Sequence, residues 1–272
     1  MKIVFYKIFI LLFPFVSYCN VFQNNDSIPK HESFTLPSQK LGEERVVNIW
    51  TPSVYQDLNV PLPVMYMLDG GIKEDFPHIA NTLAKLIDEK KIKPLILVGI
   101  ENTQRRRDLT GFTAVAKDKE IAPVVGGSEN FRVFINEELI PEINRRYKTN
   151  AIKSLIGESL AGLFVMETFF LFSEMFDHYI AFDPSLWWNN HYLVQSSKVH
   201  LAKTSPKQKS LWFAGSDATD ISKHTKSLEQ ILQKSKPKNL RWKYADEPKE
   251  KHSTIFRATK EKAITWALGN EK

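Results

Sequence analysis

The sequence contains a single cysteine, Cys19, among 272 residues. A chain with one cysteine forms no internal disulfide. It has no sequence repeat and no low-complexity segment. It shows no metal-ligand spacing, no dinucleotide-binding glycine pattern and no P-loop, so no cofactor and no metal are implied. The apolar run near the start, Ile8 to Val16, is broken by Pro14 and is too short to span a bilayer as a permanent helix. The formal net charge of +6 is modest and spread along the chain, which does not point to nucleic acid.

The composition is that of a globular protein, with 43% apolar and 25% charged residues. The length suits one sizeable α/β domain. Lys2 and Lys7 precede the short apolar run, and Ser17-Tyr18-Cys19 offers small residues at the −3 and −1 positions of a cleavage site. Residues 1–19 therefore read as a signal peptide, which predicts a periplasmic or secreted chain with no stable membrane insertion after its removal. Cleavage would take Cys19 with it, leaving a cysteine-free chain suited to an oxidising compartment. Lipidation at Cys19 is the alternative, disfavoured by the bulk of Tyr18. Residues 20–32 read as a flexible leader and 33–272 as a single domain.

Residues 33–37 and 45–51 alternate as two antiparallel edge strands. Val64–Leu68, Pro94–Ile100, Ser154–Ile156, Tyr179–Phe182, Lys209–Ala214 and Leu240–Tyr244 follow as apolar or alternating runs, the first of them continuous as in strands buried on both faces. Helical spacing separates them at Ile79–Ile87, Glu129–Tyr147, Leu163–Phe172, Ile221–Lys234 and Thr254–Leu268. Glu101 to Gly127 reads as one long loop carrying Arg105, Arg106 and Arg107. This alternation predicts an α/β fold with a mostly parallel central sheet, antiparallel N-terminal edge strands and helices on both faces. In such sheets ligands sit beyond the carboxyl ends of the strands.

The stretch that organises the rest is Gly157-Glu158-Ser159-Leu160-Ala161-Gly162, between a buried strand and a helix. A serine at a sharp strand-to-helix turn, with small residues two positions to either side, matches the nucleophile elbow of α/β-hydrolases. Alanine stands at the last position of the pattern, where only smallness is required. Read blandly, the same residues are a Gly-Ser turn linking two elements. A serine needs a base, commonly a histidine held in one tautomer by a carboxylate. His252, after the last strand, is the expected base. His191 and His224 are the other late histidines, read as a pocket or surface residue and as a surface helix residue. The expected acid is Asp217, close to the end of the strand at Lys209–Ala214. Asp220 is the alternative and a candidate helix cap; Asp246 and Glu247 are more remote candidates. The amides of Leu160 and Gly71 are the expected oxyanion donors, although Asp69-Gly70-Gly71 also reads as a plain tight turn. Glu158 stands beside the nucleophile, positioned to shape its electrostatics or to pair with an arginine.

These residues resemble the esterase D and enterochelin-esterase-like branch of the α/β-hydrolases. The resemblance rests on Tyr66–Gly70, Val98–Thr103 with Arg107-Asp108-Leu109-Thr110, Phe131–Tyr147, Ile156–Phe164 and Phe176–Trp188, and it runs from about residue 33 to 268. It implies a serine hydrolase of carboxylic or thiol esters, with Ser159 as nucleophile and His252 as base, and leaves the acid open. Members act on siderophore trilactones, small acyl esters or glutathione thioesters. Arg107 is the candidate for holding an anionic or catecholate substrate, and Trp187 and Trp188 for lining an acyl or aromatic pocket. The bland counterparts are a solvated basic loop, with Arg107 pairing only with Asp108 or another carboxylate, and packing aromatics.

The expectation is a serine esterase acting on a small-molecule ester without a cofactor. A siderophore esterase and a non-catalytic binding protein of the same fold are the alternatives. Nothing in the sequence indicates the oligomeric state.

Overall fold

The computed structural model describes residues 26–57, 59–203 and 207–269. The expected signal peptide, with Cys19, lies outside the described residues. An eight-stranded sheet organises the chain: β1 (Glu32–Ser38), β2 (Glu43–Trp50), β3 (Leu62–Met67), β4 (Ile96–Ile100), β5 (Thr149–Glu158), β6 (His178–Phe182), β7 (Lys209–Gly215) and β8 (Leu240–Asp246), in the order β1-β2-β4-β3-β5-β6-β7-β8. β1 pairs antiparallel with β2, and β2 antiparallel with β4. From β4 through β8 every pairing is parallel. This is the architecture expected from the sequence.

The period-two geometry of strands explains the continuous apolar runs. Val64, Tyr66 and Leu68 point to one core, while Met65 and Met67 point to the other. Helices α1 (Phe76–Asp88) and α9 (Ile255–Leu268) cover the second face. The first is covered by α6 (Leu160–Leu171), α8 (Thr219–Ser235) and the helical run through Ser128–Arg146. α6 is buried almost all round, which accounts for its uniformly apolar sequence.

Three details differ from the sequence expectation. The long loop holds two short helices, α2 (Arg105–Leu109) and α3 (Ala116–Ile121). The helix expected over Glu129–Tyr147 is α4 (Ser128–Phe134) and α5 (Ile140–Arg146), joined by a π-helical turn at Ile135–Leu139. Pro141, at the start of α5, has no N–H to give to the preceding turn, so the ladder changes register there. Finally, Trp188–Leu201 forms a helix, α7, whose polar sequence gave no apolar stripe. It opens with three successive left-handed residues, Asn189, Asn190 and His191. Asparagine tolerates this conformation better than most side chains, and Asn189 is held: its N–H donates to Asp118 Oδ2 at 2.8 Å and its Oδ1 accepts from Ala114 N–H at 3.2 Å.

At the carboxyl edge the turn after β3 lies directly on β4. Gly70 N–H donates to Ile100 O at 2.9 Å. A Cβ on Gly99 would meet Gly70 O and the Phe76 ring. The pair of glycines lets this turn approach, so Gly99→Ala is expected to destabilise the fold by about 1–3 kcal/mol, measured as a lower urea midpoint with unchanged slope.

Candidate active site

β5 ends at Glu158, and Ser159 occupies φ 59°, ψ −117° before α6 begins at Leu160. This is a strained conformation for a residue with a side chain, and strain of this kind concentrates where a side chain must be presented. The surrounding turn allows it. A Cβ on Gly157 would come within 2.8 Å of Ala161 backbone and side-chain atoms, and one on Gly162 within 3.0 Å of Phe182 O. Ser159 N–H donates to Phe182 O at 2.9 Å, locking the elbow against β6.

His252 Nε2 lies 3.1 Å from Ser159 Oγ. Its Nδ1 lies 2.6 Å from Asp183 Oδ2. A carboxylate only accepts, so Nδ1 carries the hydrogen and neutral His252 presents the Nε2 lone pair to Ser159. Asp183 follows β6, has φ 43° and is fully buried. Its two oxygens also accept from Ser216, Oδ1 from the N–H at 2.8 Å and Oδ2 from the hydroxyl at 2.7 Å. The hydrogen bond to Asp183 is the main cause that raises the His252 pKa above its ordinary value. Burial opposes it, and the charge of Glu158 adds to it.

The acid expected from the sequence is therefore corrected. Asp217 forms an ion pair with Lys251 Nζ, and Asp220 is exposed in the first turn of α8. Asp246 pairs with Lys226, and Glu247 with Lys262. The carboxylate behind His252 comes from β6, which borders β5, and the loop after β7 supplies Ser216 instead.

Two other expectations change. Gly71 N–H donates to Glu74 Oε2 at 2.7 Å, so the second oxyanion donor expected there is engaged by a carboxyl group of its own loop. Glu74 also accepts from Asn102 Nδ2 at 2.8 Å. Leu160, the first residue of α6, has an amide with no intrahelical acceptor. Arg107 is engaged away from Ser159. Its Nε donates to Asp108 at 2.6 Å and its Nη atoms to Glu43 at 2.7 and 3.1 Å. The arginine nearest the site is Arg105, which is bidentate to Asp69 at 2.6 and 2.7 Å and reaches Glu158 O at 3.5 Å. Trp188 is buried, donates its indole N–H to Gly111 O at 3.1 Å and lines a small hollow with Phe112, Leu163, Leu171 and Tyr192. Trp187 is half-buried and packs against the core. His191 stacks on His224 with ring centroids 4.8 Å apart.

A family model described as "Putative esterase" matches residues 38–267. The chain belongs to this family. The Ferri-bacillibactin esterase BesA of Bacillus subtilis (strain 168) is 27% identical over 230 residues, 76% of this chain and 78% of that protein. The Siderophore triacetylfusarinine C esterase of Aspergillus fumigatus is 27% identical over 189 residues, 63% of this chain and 61% of that protein. Among solved structures, an IroE-like serine hydrolase from Shewanella oneidensis superimposes with a TM-score of 0.80 at 28% identity, covering 87% of this chain and 79% of that one. This esterase is accordingly a carboxylic-ester hydrolase of the enterochelin-esterase-like group.

Beside Ser159, the Glu158 carboxyl is pushed up to about 8. Burial is the main cause, with the charges of Asp75, Asp69 and Asp183 adding to it and His252 opposing. The folded esterase thus keeps a proton that the unfolded chain releases near the ordinary glutamate value. The stability contributed by that proton is present in acid and is lost as pH rises from about 4.5 towards 8. Glu158→Gln should therefore melt about 3 °C or more above the parent at pH 9, the two curves converging near pH 4.5 in a calorimetric pH series.

Proposed function

We propose that Ser159 is the nucleophile of this esterase, His252 its general base and acid, and Asp183 the carboxylate that orients and charges the histidine. The observation that carries this reading is the continuous chain Ser159 Oγ to His252 Nε2 and His252 Nδ1 to Asp183, at 3.1 and 2.6 Å. Ser159 attacks the ester carbonyl as His252 takes its proton. His252 then protonates the departing alcohol and later activates the water that releases the acid. The Leu160 amide, at the positive end of α6, faces the developing oxyanion.

Asp183→Asn should lower kcat by about 10³- to 10⁴-fold, while Asp217→Asn stays within about threefold. Ser159→Ala should lose fluorophosphonate labelling together with turnover. Full activity in Asp183→Asn, or loss confined to Asp217→Asn, would return the acid to β7. Because His252 must be neutral to act as base, activity rises with pH through its raised pKa. Asp183→Asn should move that limb to lower pH.

A narrower reading is favoured by the relatives. Two of them, 27% identical to this chain, are named for siderophore substrates. We infer that the physiological ester is a siderophore, its release of chelated iron depending on backbone ester cleavage. A kcat/KM for an iron-loaded siderophore triester at least tenfold above that for p-nitrophenyl butyrate is expected; the reverse order would rule this out. The basic start and the short apolar run of residues 1–19 support export to the periplasm or medium. An exported chain beginning after Cys19, by intact mass, is the result expected. Among the described residues, no helix is long and apolar enough to cross a membrane.

A further inference from the structure

A second buried hydroxyl lies against the nucleophile and has no part in the proton path just described. Ser185 is 2% exposed, and its Oγ is 3.4 Å from Ser159 Oγ. Among the described residues, that oxygen is its hydrogen-bond partner; no other is found. The position of Ser185 is fixed by the backbone. Its N–H donates to Ser159 O at 3.0 Å, and its carbonyl accepts from Trp188 N–H at 3.1 Å. The two serines are thus joined through main chain and side chain.

Counting hydrogens decides the direction of the contact. Ser159 has one hydroxyl hydrogen. With His252 neutral, Nδ1–H is committed to Asp183, and Nε2 needs that hydrogen. Any bond between the hydroxyls must then be one that Ser159 accepts and Ser185 donates. We propose that Ser185 is a further catalytic residue, whose O–H stabilises the nucleophilic oxygen as it gains charge. This rests on the assignment of Ser159 and His252 made above.

The chemistry balances without a proton leaving Ser185. In acylation the Ser159 O–H bond breaks, its proton passing to His252 Nε2. An Oγ electron pair forms the bond to the ester carbon, and the carbonyl π pair moves to the carbonyl oxygen; that pair returns as the carbon–alkoxy bond breaks and His252 protonates the departing alcohol. In deacylation His252 takes a proton from the attacking water, whose oxygen bonds to the acyl carbon; collapse of that adduct breaks the carbon–Oγ bond, its electrons return to Oγ, and His252 gives Oγ the proton taken from water. In both steps Oγ passes through its most negative state with Ser185 O–H beside it. At 3.4 Å the contact is at the outer edge of O–H···O bonding and contributes little to the resting enzyme. A charged acceptor draws its donor closer, and catalytic hydrogen bonds tighten in this way on substrate binding. A bond that is weak in the ground state and strong in the transition state is the kind that raises kcat.

Pre-steady-state hydrolysis of p-nitrophenyl butyrate by the mature chain separates the acylation burst from deacylation. Rates are expressed per active site titrated with a fluorophosphonate. In Ser185→Ala both rate constants should fall about 10- to 100-fold, with the ester dissociation constant within about twofold of the parent. Ser185→Cys keeps nearly the same shape with a weak S–H donor, and it should lose at least fivefold even if the alanine variant folds poorly. Acylation and deacylation within twofold of the parent in the folded variants would overturn the proposal. So would a loss seen only in the dissociation constant or the melting temperature. Ser159→Ala is measured alongside. Turnover surviving there would remove the nucleophile assignment itself, whereas its loss with unaffected Ser185 variants removes Ser185 alone.

Discussion

The carboxylate of Asp183 has no exposure to water, and a buried charge is tolerated only when its lone pairs are satisfied. Ser216 supplies two donors and His252 a third. The loops after β7 and β8 must close over the end of β6 to do so. That requirement explains the left-handed backbone at Asp183, which turns the side chain under His252 instead of out along the strand. It also sets the histidine tautomer, and through it the direction of the proton path from Ser159. The elbow is strained in the same sense, and the two strained residues are tied together by the bond from Ser159 N–H to Phe182 O.

Around this centre the electrostatics are arranged by burial as much as by pairing. Asp69 is neutralised by Arg105, Glu43 and Asp108 by Arg107, and Asp217 by Lys251. Among the described residues Glu158 has no such partner, and burial favours its protonated form. Ser159 therefore sits beside a carboxyl group that burial holds towards its neutral form.

Much of the fold was legible because buried parallel strands need continuous apolar runs, as in Val64–Leu68, and because the elbow needs small residues at Gly157, Ala161 and Gly162. The pairing of His252 with Ser159 was legible from its place after the last strand. The acid was not. Both β6 and β7 end in turns containing aspartate, and only contacts remote in sequence separate them: Asp183 meets His252, and Asp217 pairs with Lys251. Asp183 also has a local feature that bears on the choice, since it follows the strand with no intervening residue and is fixed by Pro184. For Arg107 the pairing with the adjacent Asp108 was within reach of a local reading, whereas its other partner, Glu43, is remote in sequence. Glu74, only three residues from Gly71, was within reach of a local reading, as a carboxyl folding back on the amide of its own turn.

The move of the acid to β6 also changes which parts of the surface are tied together. The acid, the second serine and Trp188 all belong to one short segment, Asp183 to Trp188, that is clamped to the elbow by backbone bonds. The loop after β7 contributes a neutral donor where the more familiar arrangement would place an indispensable charge. The stretch just beyond Ser216 is itself tied to the loop that carries His252, since Asp217 N–H donates to Glu250 O at 2.9 Å. A change of length in that stretch would therefore be felt at His252 as well as at Asp183.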